Sequence, residues 1–85
     1  MSKGTIILEI SHRFEGFGPG GDCKEITDAM HTAAFHAADR HGYDLQTKTV
    51  YNQPNTLRVT GGSDEANADV RNEAYAAGEK VYMAE

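Results

Sequence analysis

Thr5-Ile6-Ile7-Leu8-Glu9-Ile10-Ser11-His12-Arg13-Phe14, residues 5–14, is the stretch on which the fold turns. Ile6, Leu8, Ile10 and His12 point one way, and Ile7, Glu9, Ser11 and Arg13 point the other. Alternation with β-branched residues is the pattern of a half-buried strand. Phe14 continues the inward face and reads as a plug for the end of a small core, with His12 as a wall of that core.

Outward from this strand, four further elements follow. Asp22 begins a helix with Glu25 three residues on, the form of a capping box, and Gly42 stops it. Between them Ile26, Met30, Ala33 and Ala37 form one stripe, flanked by Ala29 and Ala34. Leu45–Tyr51 and Thr56–Thr60 read as strands, and Asn52-Gln53-Pro54-Asn55 between them has the turn chemistry of a hairpin. Ser63 caps a second helix whose buried stripe is Ala66, Val70, Ala74, Ala77 and Val81. Glu65, Asp69, Asn72 and Glu79 form its wet side.

The order β-α-β-β-α predicts a single α+β domain over residues 1–85, with both helices on one face of a three-stranded antiparallel sheet. The strand order expected is 1-3-2, because a β-α-β crossover is right-handed and the third strand can slot between the first two. This arrangement resembles the first five elements of a ferredoxin-like βαββαβ unit. Without a sixth element, the outer edge of the first strand has no partner, and unpaired edges tend to be covered or used. Pairing of Ile7, Glu9 and Ser11 with the same strand of a second copy predicts a homodimer.

Composition bounds the rest. The chain has 85 residues, 39% hydrophobic and 25% charged, a globular composition. One cysteine excludes an internal disulfide and fits a reducing compartment. No apolar run is long enough for a membrane span, and the N-terminus reads as a strand and not a signal peptide, so a cytoplasmic protein is expected. The net charge is −5, and no cluster of Lys and Arg suggests the wrapping of a duplex.

Catalytic patterns are sparse. His31, His36 and His41 are five apart, which turns each about 140° from the last on a helix, so they do not converge on one ion. Asp28 and His31 share a face, but two ligands fall short of a metal site. Cys23 has Asp22 and Glu25 beside it, which oppose a thiolate, and no histidine close in sequence. No metal, no cofactor and no enzyme activity are expected. In residues 16–21, Pro19 removes a donor and Asp22 places negative charge where an anion would sit, so the glycine-rich segment reads as a joint.

Phe14-Glu15-Gly16 with Gly18-Pro19-Gly20-Gly21 and Lys24-Glu25-Ile26 resembles the loop region of the KH domain, and Arg58-Val59-Thr60-Gly61 resembles its last strand. That resemblance implies a single-stranded nucleic-acid-binding module, the alternative function. The loop carries no basic residue between the glycines, and nucleic acid is not the partner expected.

The aromatic residues point elsewhere. Phe17 lies beyond the strand and has no periodic reason to be buried. Phe35 falls about 180° from Ile26 on the first helix, among Asp28, His31 and Asp39. Tyr75 and Tyr82 lie two turns apart on the second helix, around Gly78. Large aromatics outside the buried stripe suggest contact beyond the monomer. The expectation is a small acidic, non-enzymatic protein that binds a protein partner through these residues: an inhibitor, adaptor or accessory factor of the kind phages also carry. Sequestration of a small ligand at a dimer interface is a further alternative.

Overall fold

The computed structural model describes residues 3–12, 14, 16–18, 24–53 and 55–84. The chain is α+β, with β1 Thr5–Ser11, α1 Lys24–Arg40, β2 Asp44–Val50, β3 Leu57–Thr60 and α2 Asp64–Ala84. The expected helix start at Asp22, Cys23 beside it, and Pro19, Gly20 and Gly21 lie outside the described residues.

The sheet is mixed, in the order β2-β1-β3. β1 pairs parallel with β2, from Thr5 opposite Asp44 to Ser11 opposite Val50. On its other side it pairs antiparallel with β3, from Ile7 opposite Thr60 to Ile10 opposite Leu57. The expected order 1-3-2, the all-antiparallel sheet and the β2–β3 hairpin are therefore corrected, and the ferredoxin-like order with them. Apolar content explains the placement: β1 holds Ile6, Ile7, Leu8 and Ile10, and the most apolar strand belongs in the centre, where both its neighbours shield it. β2, with its Thr-Lys-Thr run, and the four-residue β3 suit edges.

The segment between β2 and β3 crosses the end of β1 instead of reversing tightly. Buried Ser11 ties it down: the Thr56 N–H donates to Ser11 Oγ at 2.7 Å, and the Ser11 hydroxyl donates to the Gln53 carbonyl. The backbone continues the bond, with Ser11 N–H donating to the Thr56 carbonyl.

Both helices cover one sheet face. α1 packs beside β2 and α2 beside β3, and the two helices pack on each other. Ile6, Leu8 and Ile10 close the core against Ile26, Met30, Ala34 and Ala37 of α1 and Ala66, Val70 and Ala74 of α2. Phe14 is 3% exposed and plugs the end of this core, as expected, although β1 itself ends at Ser11. Burying each of the larger aliphatic side chains contributes roughly 1.5–3 kcal/mol, so Ile6, Leu8, Ile10, Ile26, Met30 and Val70 carry much of the stability.

Local signals hold at the helix ends. The Ala66 N–H donates to Ser63 Oγ at 3.1 Å, the cap expected of Ser63. Gly42 ends α1 with φ +82°, a left-handed conformation that glycine adopts without a Cβ penalty. The buried stripe of α2 passes through Gly78 in place of the expected Ala77, and Val81 beyond it is half-buried against the core. A Cβ at Gly78 would lie 2.7 Å from Met30 Cγ and 2.9 Å from Phe17 Cε2, so a glycine lets α2 approach α1.

Candidate functional site

The residues expected to meet a partner separate into two groups. Phe17, Tyr75 and Tyr82 form one. The Phe17 ring lies 5.2 Å from Phe14 edge-on, 4.8 Å from Tyr75 and 6.0 Å from Tyr82 in a stack. Phe17 is half-buried, held between the β1–α1 connection and α2. Ring pairs at such distances stabilise one another beyond the area they bury. The cluster leaves Tyr75 38% exposed.

Phe35, Asp28, His31 and Asp39 form the second group, one stripe along α1 at spacings of three and four residues. Phe35 is 56% exposed, Asp28 and Asp39 are exposed, and His31 is half-buried. The direction of this stripe follows from the contacts of α1 with α2. Arg40 reaches α2 through Asp69 and Glu73, and Met30 meets Gly78. At about 100° per residue Phe35 points opposite the mean of those two directions. It therefore faces away from α2, toward the β2 side of the molecule.

His31 is the chemically unusual member. Its Nε2 is buried and, among the described residues, has no hydrogen-bond partner. Burial pushes its pKa below the ordinary imidazole value, and the Asp28 carboxylate opposes that shift.

A polar cluster that sequence reading did not single out joins the two helices. Arg40 Nη2 lies 3.3 Å from Asp69 Oδ2 and 3.1 Å from Glu73 Oε1, and His41 Nε2 lies 2.8 Å from Asp69 Oδ2. The hydrogen bond from His41 holds the Asp69 carboxyl below the usual range, with Arg40 acting in the same sense. Nothing local in the sequence pairs residues about thirty positions apart. These groups bind one another, which makes the cluster a clasp between helices.

The expected dimer strand is corrected by the fold. Ile7, Glu9 and Ser11 lie on the central strand, whose two edges are taken by β2 and β3, so β1 has no free ladder for a second copy. Ile7 and Glu9 face the side of the sheet without helices, and Glu9 sits between Lys48 of β2 and Arg58 of β3. His12, expected in the core wall, is exposed and its ring lies 5.2 Å from that of Tyr51, itself 74% exposed. β1 ends at Ser11, so the inward alternation stops one residue short of His12.

Among the described residues no three His, Cys, Asp or Glu side chains come together as a metal site, and no helix is long and apolar enough to cross a membrane. Comparison of the chain with family models, curated proteins and solved structures finds no match.

Proposed function

We propose that this chain is a small acidic, non-enzymatic binding protein, an inhibitor, adaptor or accessory factor, that works in the cytoplasm through protein–protein contacts. The observation that supports it is the stripe on α1. Phe35 stands 56% exposed between the carboxylates of Asp28 and Asp39, with His31 beside it. An aromatic ring framed by charge is the composition of an interface anchor and its rim.

The test is capture of the native partner by the wild-type chain and by Phe35→Ser, with the bound proteins identified by mass spectrometry. The reading expects a partner that the wild type holds and Phe35→Ser releases. Equal capture by both chains would remove Phe35 from the interface. Binding to single-stranded oligonucleotides that weakens steeply with salt would favour the KH-like alternative. A small molecule retained through purification would favour sequestration.

A further inference from the structure

We infer that the free edge of β2 pairs antiparallel with β2 of a second copy, joining two sheets into one of six strands across a twofold axis and covering Phe35. This rests on the reading of Phe35 as a contact residue and names the partner that covers it.

The hydrogen-bonding groups of β2 fix which residues can pair. The Asp44 N–H donates to the Gly4 carbonyl and the His12 N–H donates to the Val50 carbonyl, both toward β1. With the two-residue period of a strand, the even-numbered residues of β2 bond to β1. Leu45, Thr47 and Thr49 therefore present their N–H and C=O groups outward. An antiparallel self-pair must join these odd-numbered residues.

Charge selects the register. When Gln46 lies opposite Gln46 of the second copy, Leu45 exchanges ladder bonds with Thr47, about four bonds by symmetry. In the same register Asp44 lies opposite Lys48, twice. These are non-hydrogen-bonded positions, where side chains approach most closely. Asp44 and Lys48 are both exposed and lie on the sheet face without helices. The row across the joined sheet then reads Arg58, Glu9, Lys48 and the second copy's Asp44, alternating in sign throughout. A lysine on an edge strand normally discourages pairing with a foreign strand. Here the chain's own Asp44 neutralises it, which favours a second copy over any other strand.

The helix layer fits the same assembly. α1 packs beside β2 while its core residues meet those of β1, so it covers the seam between the two strands. Across a β2–β2 junction the two α1 axes are then separated by about two strand spacings, roughly 10 Å, within the usual range for packed helices. Phe35 and His31, which face away from α2, enter that gap. Thr47 and Thr49, on the helix side of β2 yet exposed, are covered by the same approach. β3, with four residues, offers a shorter edge.

Sedimentation of the wild type across micromolar concentrations tests the pairing. A concentration-dependent dimer is expected. Thr47→Pro removes an outward donor and no bond to β1, so it should sediment as a monomer with an unchanged circular dichroism spectrum. Asp44→Lys and Lys48→Glu each place like charges opposite one another and should each weaken the dimer about tenfold. Mixed together, these two variants should form a heterodimer, because each lysine then faces an acid. A wild type that stays monomeric, or a Thr47→Pro dimer as tight as the wild type, overturns the inference. Variants that fail to associate on mixing overturn the register. A monomer that still loses another protein on Phe35→Ser ends self-pairing and leaves the contact reading standing. A β2-dependent dimer unaffected by Phe35→Ser supports the pairing and removes Phe35 from it.

Discussion

Phe17 and Phe35 are the same residue type, and the sequence sets both outside the buried stripes, yet the fold treats them differently. Phe17 finds Phe14, Tyr75 and Tyr82 and packs half-buried against its own chain's core, opposite a glycine that makes room for it. Phe35 stays 56% exposed on α1, and among the described residues its ring contact is with His36, at 6.1 Å. An aromatic that lacks helical periodicity can still be buried when a glycine-rich connection carries it to the core. One fixed on the outer face of a long helix cannot move to find cover. The helix, and not the residue type, leaves Phe35 available.

Substitutions across the aromatic residues should sharpen this contrast in a graded series. Phe14→Ala removes a ring that is 3% exposed and should cost about 3–5 kcal/mol in denaturant unfolding, the largest effect of the series. Phe17→Ala should cost less, about 1–3 kcal/mol, because its ring is only half-buried. Phe35→Ser should change unfolding by no more than about 0.5 kcal/mol while altering association. If Phe17→Ala proved as mild as Phe35→Ser, the aromatic cluster would be an open surface and the contrast would fail.

The smallest effect is one of pH. Burial lowers the pKa of His31 in the folded chain relative to the unfolded one. The stability linked to it is fully present above the ordinary imidazole value of about 6.5 and is lost as the pH falls through the lowered value. Thermal midpoints of the wild type should therefore drop more between neutral and mildly acid pH than those of His31→Asn. Removing the opposing carboxylate with Asp28→Asn should steepen the wild-type drop, and an unchanged slope in both variants would exonerate His31.

The sequence makes the local devices readable. The alternation of β1, the Phe14 plug, the Ser63 cap and the Gly42 stop each depend on neighbours within a few residues, and each is present in the fold. Strand order depends on contacts between distant segments, and there a local signal misled. Asn52-Gln53-Pro54-Asn55 carries turn chemistry, but a turn residue cannot say whether the chain reverses or crosses the end of β1. The informative signal was the apolar content of β1, which marks a central strand and removes it as the edge for pairing. Asp44 and Lys48, four apart on β2, place opposite charges on one sheet face, a pattern visible in the sequence once β2 is known to be an edge. The clasp of Arg40, His41, Asp69 and Glu73 joins positions that no short-range rule connects.

Amide hydrogen exchange along β2 tests most directly the claim that the side of the molecule bearing β2 and Phe35 is its contact surface. Leu45, Thr47 and Thr49 present their N–H groups away from β1, so in a lone chain they exchange with solvent, while Gln46 and Lys48 are protected by the ladder. Raising the protein concentration should slow exchange at Leu45 and Thr47, which exchange ladder bonds across the junction, and leave Gln46 and Lys48 unchanged. Fast exchange at those two amides at every concentration up to the highest attainable would rule the pairing out.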